Sequence, residues 1–147
     1  MEDFHMETIK QLLQDKGGQV WTILPQASVY DAIYLMSEKE IGSLLVVEDE
    51  RIVGLISERD YARKVILKGR SSKSTRVSDI MSRSVLYTHG GQTIHEAMAV
   101  MTKHRIRHLP ALEDGRLIGI VSMGDLVNAL IAEQQFIIEQ LEHYITG

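Results

Sequence analysis

An α+β fold made of two copies of one supersecondary unit is what this sequence predicts, and three observations predict it. The segment Gly54-Leu55-Ile56-Ser57-Glu58-Arg59-Asp60 returns as Gly119-Ile120-Val121-Ser122-Met123-Gly124-Asp125, a constant offset of 65 residues. The same offset, without a gap, pairs Ala32 with Ala97, Met36 with Met101, Ile41 with Ile106, Leu44 with Leu109, Glu48-Asp49 with Glu113-Asp114 and Arg51 with Arg116. Within each copy the hydrophobic period changes in one order: strand, helix, strand, strand, helix. Self-similarity at a fixed period marks a repeat architecture. A length of 147 residues suits two such repeats sharing a core better than two large independent domains.

In the first copy, Val20 to Leu24 reads as a short strand, followed by a turn at Pro25-Gln26. Ser28 is placed as the N-cap of a helix that carries Val29, Ala32, Ile33 and Met36 on one face. Two β-branched runs, Ser43 to Glu48 and Arg51 to Ile56, are joined across Asp49-Glu50 and read as a hairpin. Ser57 then opens a second helix with Tyr61, Val65 and Ile66.

The second copy repeats the plan. A strand is expected near Val85 to Thr88, a helix from Thr93 through Ile94, Ala97, Met98 and Met101, hairpin arms over Leu109 to Leu112 and Arg116 to Val121, and a last helix from Ser122. Its turn, Asp114-Gly115, is the better chemistry, because a type I′ turn needs positive φ at both central positions. Between the copies, Lys68-Gly69-Arg70-Ser71-Ser72-Lys73-Ser74 has the composition of a flexible exposed linker. A short apolar element precedes each copy: Ile9, Leu12 and Leu13 before the first, Val77, Ile80 and Met81 before the second. These are expected to lock each copy to its neighbour. The resulting division is residues 8–67 for the first copy, 68–76 for the linker and 77–145 for the second. The last helix continues through Leu126, Val127, Leu130, Ile131, Phe136, Ile137, Ile138, Leu141 and Ile145, an apolar surplus that points to a second subunit.

Bulk composition narrows the function classes. With 44% hydrophobic and 24% charged residues and a formal charge of −4, the chain reads as an ordinary soluble protein with nothing basic enough to suggest nucleic acid. The absence of cysteine excludes disulfides, thiolate metal sites and a thiol nucleophile, and is compatible with a reducing cytoplasm. No stretch approaches the roughly 20 apolar residues of a membrane span. The N-terminus, Met1-Glu2-Asp3-Phe4-His5-Met6-Glu7, is acidic where a signal peptide is basic and then apolar. A cytoplasmic chain, complete as written and not bound to membrane, is the expectation.

The order of elements, the doubled Gly-x-x-Ser-x-x-Asp, and the segments Val20-Trp21-Thr22-Ile23-Leu24-Pro25 and His108-Leu109-Pro110-Ala111-Leu112 together resemble the cystathionine-β-synthase-type (CBS) domain family. The resemblance runs over roughly residues 8 to 131. It implies two βαββα repeats packed as a CBS pair about a pseudo-twofold axis, with an added N-terminal helix and an extended C-terminal one. It also implies clefts between the repeats that accept adenosine-containing ligands: AMP first, then ADP, ATP, NAD or S-adenosylmethionine. Such modules commonly form disc-like homodimers and regulate a partner rather than catalyse.

Adenosine recognition needs an apolar slot for the base, an acceptor for the ribose diol and donors for phosphate. Asp60 and Asp125 stand in the first turn of a helix, where a carboxylate accepts from vicinal hydroxyls as acidic residues do in dinucleotide folds, and the resemblance assigns them to ribose. Ser57 and Ser122 start those helices and are candidate phosphate contacts at a positive helix end, although Ser-x-x-Asp is equally a capping box. The copies differ in charge. Arg105, Arg107 and His108 precede Leu109-Pro110 where the first copy has Glu40, Gly42 and Ser43, and Arg59 stands where the second copy has Gly124. Arg107 and His108 are therefore nominated for phosphate, since a guanidinium can make two parallel bonds to phosphate oxygens. Val20, Thr22 and Ile23, with Tyr87 and Thr88, are the expected base slot, near Val46 and Ala111. Gly42, Ser43, Arg59 and Pro110 complete the expected contact set. Trp21 is read as core or interface before base stacking. Gly90-Gly91 replaces Pro25-Gln26 and leaves equal occupancy of both clefts open.

His104 and His108 are four apart but fall on different elements, and with His5, His89, His95 and His143 they make no expected metal site. No paired acid and base, nucleophile with a histidine, or P-loop stands in a recognisable context, so no enzyme is expected. Met98, Met101 and Met123 read as core packing. The reading is a nucleotide sensor that passes occupancy to an unknown protein partner; the alternative is a scaffold whose clefts stay empty.

Overall fold

The computed structural model describes residues 7–146. The elements run α1 (Ile9–Lys16), β1 (Thr22–Ile23), α2 (Val29–Lys39), β2 (Ser43–Glu48), β3 (Arg51–Ser57) and α3 (Glu58–Tyr61), which continues as a π turn over Ala62–Ile66. They go on through α4 (Val77–Ile80), β4 (Thr88–His89), α5 (Ile94–His104), β5 (His108–Glu113), β6 (Arg116–Ser122) and α6 (Met123–Thr146). The strands form two three-stranded sheets, ordered β1-β2-β3 and β4-β5-β6. In each, the short first strand pairs parallel with the second, and the hairpin pairs antiparallel.

The repeat is visible in the details. Helices α2 and α5 both start at a hydroxyl cap, Ser28 and Thr93, and both end on a non-glycine residue in the left-handed region, Glu40 (φ 53) and Arg105 (φ 55). Each hairpin has one irregularity at the same place, Val46/Val47 and Ala111/Leu112. Both hairpin turns take positive φ at both central residues, Asp49 and Glu50 (52 and 64) as well as Asp114 and Gly115 (52 and 75). The first turn thus adopts the conformation of the second without its glycine, and Glu50 carries the backbone strain.

Strands β1 and β4 are shorter than the expected Val20 to Leu24 and Val85 to Thr88. Only Thr22 and Ile23 find ladder partners, Leu45 and Val46, and the chain then turns at Pro25, which has no N–H to donate. In the second sheet Thr88 and His89 pair with Ala111 and Leu112 before Gly90. The expected flexible linker is also corrected. Arg70 N donates to Val65 O (2.9 Å), Thr75 Oγ1 to Ser71 O (2.6 Å), and Tyr30 N and Val29 N to Ser72 O and Thr75 O (3.0 and 2.8 Å). Residues 70–75 are a hydrogen-bonded turn that holds the start of α2, because their carbonyls serve N–H groups that a helix N-terminus leaves unpaired.

Two compact units result, and they do not follow the chain order of the copies: Val20–Val85 is one, and the described residues up to Gln19 join those from Leu86 in the other. The core of the Val20–Val85 unit holds Val29, Ala32, Met36, Leu44, Val46, Ile56 and Val65 together with Val77, Ile80 and Met81 from α4. The core of the other holds Ile94, Ala97, Met101, Leu109, Ala111, Val121 and Leu126 together with Ile9, Leu12 and Leu13 from α1. Each short apolar helix therefore completes the core of the copy it does not precede. Antiparallel bridges fix the attachment: Thr8 with Thr93 in one unit, Ser28 with Arg76 and Leu55 with Ser82 in the other.

The recurring glycine makes room for this. A Cβ on Gly54 would lie 2.6 Å from Met81 Sδ and 2.9 Å from the Ser82 carbonyl oxygen, and one on Gly119 would lie 2.7 Å from Leu13 Cδ2. We expect Gly54→Ala to lower stability by about 1–3 kcal/mol, the usual range for overpacking, in urea unfolding. Gly119→Ala meets only the tip of the Leu13 side chain but places a Cβ on a residue at φ 158, which L residues rarely adopt, so it too should lower stability. Combined with Leu13→Ala it should cost less than the sum of the two single changes, the mark of residues in contact.

Candidate functional site

Both Ser-x-x-Asp motifs form at the same end of their sheets. Ser57 pairs with Ser43 across the β2-β3 ladder, and Ser122 with His108 across β5-β6. The end of β3 and the start of α3 thus gather Gly42, Ser43, Ser57, Arg59 and Asp60, while the end of β6 and the start of α6 gather Arg107, His108, Ser122 and Asp125.

Local chemistry explains why each helix starts there. Ser57 N donates to Asp60 Oδ2 (2.9 Å) and Asp60 N to Ser57 Oγ (3.2 Å), a reciprocal capping box. The Ser57 hydroxyl also donates to Asp60 Oδ2 (3.0 Å). In the second copy Ser122 N donates to Asp125 Oδ2 (2.8 Å) and Asp125 N to Ser122 Oγ (3.0 Å). The next amide is used as well: Glu58 N donates to Gly42 O (3.1 Å) and Met123 N to Arg107 O (2.8 Å). Gly42 and Arg107 therefore enter the site through their carbonyls, which tie the preceding loop to the helix start.

Each aspartate is also paired with a lysine, and the two lysines come from different places. Lys64 Nζ lies 3.1 Å from Asp60 Oδ1, one turn along the same helix, and donates to Ile80 O (2.9 Å). Lys16 Nζ, from the last residue of α1, lies 2.5 Å from Asp125 Oδ2 and donates to Ile120 O (2.8 Å). Burial of Asp125 favours the neutral acid, but the hydrogen bond from Lys16, the Ser122 amide and the charge of Lys16 outweigh it and hold the carboxyl below its ordinary value. Neither lysine was nominated from the sequence. Lys64 was legible as an i,i+4 partner of Asp60; nothing in the sequence joins Lys16 to a residue 109 positions away.

The remaining predicted residues fall at graded distances from these motifs. Thr22 is exposed and Ile23 half-buried, level with Leu45 and Val46 on β2, two and three residues along from Ser43. Val20 is half-buried just before them. Thr88 is buried, and its hydroxyl donates to Gln92 Oε1, so that group is consumed within its own turn. Tyr87, beside it, remains exposed. Arg107 and Arg59 are exposed, His108 is half-buried, and Pro110 is buried within β5. Trp21 packs against the core with Lys39 Nζ 4.2 Å from its ring centroid, which places it as a structural residue. His104 ends α5 and His108 begins β5, so the pair does not share a helix face. His5 and the rest of Met1 to Met6 lie outside the described residues.

A cavity of about 690 Å³ in the Val20–Val85 unit is lined by Thr22, Ile23, Leu24, Ala27, Asp31, Tyr34, Leu35, Val47, Asp49 and Glu50. It shares Thr22 and Ile23 with the expected base slot but lies toward the Asp49-Glu50 turn. Five residues of β2, about 17 Å of strand, separate that end from Ser43 and Ser57.

Comparison with known proteins decides the family. The CBS domain family model matches residues 10–67 and 77–132. The chain belongs to the CBS domain family. A CBS-domain protein from Burkholderia ambifaria MC40-6 has a solved structure that superposes with a TM-score of 0.82 at 52% identity, over 86% of this chain and 96% of that one. The CBS domain-containing protein CBSX3, mitochondrial, of Arabidopsis thaliana is 40% identical over 98% of this chain and 74% of its own length. The CBS domain pair of protein MJ0100, solved in complex with 5′-methylthioadenosine and S-adenosyl-L-methionine, shares the fold, with a TM-score of 0.77 at 22% identity, over 88% of this chain and 99% of that one. Two three-stranded sheets with flanking helices and a long C-terminal helix are thus the architecture of a CBS pair. No helix among the described residues is long and apolar enough to cross a membrane.

The Lys16–Asp125 pair makes a pH signature. The folded carboxyl titrates below its unfolded value of about 3.9, so its stabilisation is complete above that pH and is lost as pH falls through the folded value. Asp125→Asn should lower the urea midpoint at pH 7 and flatten its decline below about pH 4, the unfolded range. A decline as steep as that of the parent would show that Asp125 does not contribute.

Proposed function

We propose that this CBS protein is a regulatory sensor that binds an adenosine-containing nucleotide and passes its occupancy to a protein partner. The observation that carries the reading is the doubled Ser-x-x-Asp, whose carboxylates are fixed at the end of a strand beside a backbone-lined sheet edge. In this reading Asp60 and Asp125 accept from ribose hydroxyls, and Ser57, Ser122, Arg59, Arg107 and His108 face phosphate. Val20, Thr22, Ile23, Tyr87 and Thr88 border the base, with Gly42, Ser43 and Pro110 shaping the approach. AMP leads the candidates, followed by ADP, ATP, NAD and S-adenosylmethionine. The adenosyl compounds held by MJ0100 support the ligand class.

The chemistry is recognition without bond making. A capped carboxylate is already oriented, so ribose hydroxyls meet an acceptor that needs little reorganisation. Signalling follows from differential affinity: a nucleotide shifts the protein toward whichever arrangement it binds better, by no more than that difference. The proposed species is a cytoplasmic homodimer, a setting compatible with a chain that has no cysteine.

A specific observation favours a second reading, a ligand-free scaffold. Both aspartates already have partners, and α6 exposes a long apolar face. Thermal unfolding against AMP, ADP, ATP, NAD and S-adenosylmethionine separates the two. A ligand at about a hundred times its dissociation constant adds roughly 2.7 kcal/mol, visible as a raised melting temperature. We expect a shift with at least one compound, reduced or abolished by Asp60→Ala or Asp125→Ala. No shift with any of them would leave the scaffold.

A further inference from the structure

The exposed face of α6 has a regular spacing that its apolar content alone does not require. Val127, Ile131, Gln134, Ile138, Leu141 and Ile145 follow one another at intervals of four and three residues, and all six are exposed. The five apolar members are 40% to 81% exposed. That is a strict 3.5-residue repeat, the seam of a two-helix coiled coil. The residues that tie α6 to its own unit lie on a neighbouring face. Leu126 is buried there, Ala129 packs against the core, and Glu133 Oε1 lies 3.2 Å from His95 Nε2 on α5. The seam is therefore left over after the fold of the chain is complete.

We propose that α6 pairs antiparallel with α6 of a second copy, about a twofold axis at Phe136. This rests on the homodimeric part of the function proposed above, and it names the surface. The seam is symmetric about that residue. Val127 meets the partner's Ile145, Ile131 the partner's Leu141, and Gln134 the partner's Ile138, and each contact recurs on the other side of the axis as an isologous interface requires. The flanking positions agree as well. On one side Leu130 faces the partner's Tyr144 and Ile137 faces the partner's Ile137; on the other Asn128 faces the partner's Glu142 and Gln135 the partner's Gln135. Apolar meets apolar along one flank and polar meets polar along the other. A parallel pair would instead set Leu130 against the partner's Gln135 and Ile137 against the partner's Glu142.

Charge supports the same choice of occupant and orientation. The face carries Glu142 as its one acidic flanking residue, and α6 has no lysine or arginine. The antiparallel register places that carboxylate beside a neutral asparagine and opposes the two helix dipoles favourably. The seam spans 18 residue steps, about 27 Å of helix, which is five turns of continuous contact.

The chain has no cysteine, so single introduced thiols report contacts without background. Sedimentation equilibrium of the full chain should give twice the 16.6 kDa of one copy. Leu141→Glu and Ile138→Glu, at positions exposed within the chain, should give monomers with an unchanged far-ultraviolet circular dichroism spectrum. Gln134→Leu should tighten the dimer. Ile131→Cys mixed with Leu141→Cys should form a disulfide-linked dimer on mild oxidation, and Ile131→Cys alone should not. Self-linking of Ile131→Cys would overturn the antiparallel seam. A dimer that survives Leu141→Glu without the mixed crosslink would overturn it too, while leaving the homodimer intact on another surface. A monomeric parent protein would overturn both.

Discussion

The close approach of a short helix to a sheet at one glycine is the constraint on which the rest of the structure depends. Gly54 and Gly119 occupy the same ladder position, opposite Val46 and Ala111. Each admits a neighbour that a methyl group would displace: Met81 and the Ser82 carbonyl in one unit, Leu13 in the other. Because those contacts come from α4 and α1, the glycine decides which helix closes which core. Burying Ile9, Leu12 and Leu13 stabilises one unit by about 1.5–3 kcal/mol per side chain, and Val77, Ile80 and Met81 serve the other in the same way. The strand that carries the glycine ends three residues later at the capping serine, so the same backbone that anchors the core also sets the position of the aspartate.

Capping and recognition are one arrangement here rather than competing explanations. The Ser-x-x-Asp box stops the strand, starts the helix and fixes a carboxylate with one oxygen accepting from the serine amide. The box accounts for the motif structurally in both copies. What it adds for function is an oriented acceptor in the same place twice.

The two copies diverge in what reaches that acceptor. Lys64 arrives from the same helix as Asp60, whereas Lys16 arrives from α1, an element outside the second copy in sequence. A nucleotide that used Asp125 would have to share it with the residue that closes α1, and its occupancy would then be coupled to the docking of α1. The helices diverge too: after Asp60 the helix gives way to a π turn and stops, while after Asp125 it runs on to Thr146. The first copy ends within its own core, and the second projects a face beyond it.

The sequence by itself determined the repeat, the order of elements, both hairpins, the capping residues and the family, because these depend on short-range periodicity and turn chemistry that a fixed offset displays twice. It also placed Ser57, Asp60, Ser122 and Asp125 at helix starts, since a capping box is local. Only the tertiary structure decided that α1 belongs with the second copy and α4 with the first, that residues 70–75 are a bound turn rather than a tether, and that Lys16 holds Asp125. Each of these rests on contacts between residues distant in the chain, or on carbonyls whose partners composition does not reveal. The excess of apolar residues in α6 was legible from its pattern. Which of them remain uncovered depends on where Leu126, Ala129 and Glu133 dock, and that is set by packing, which no local spacing encodes.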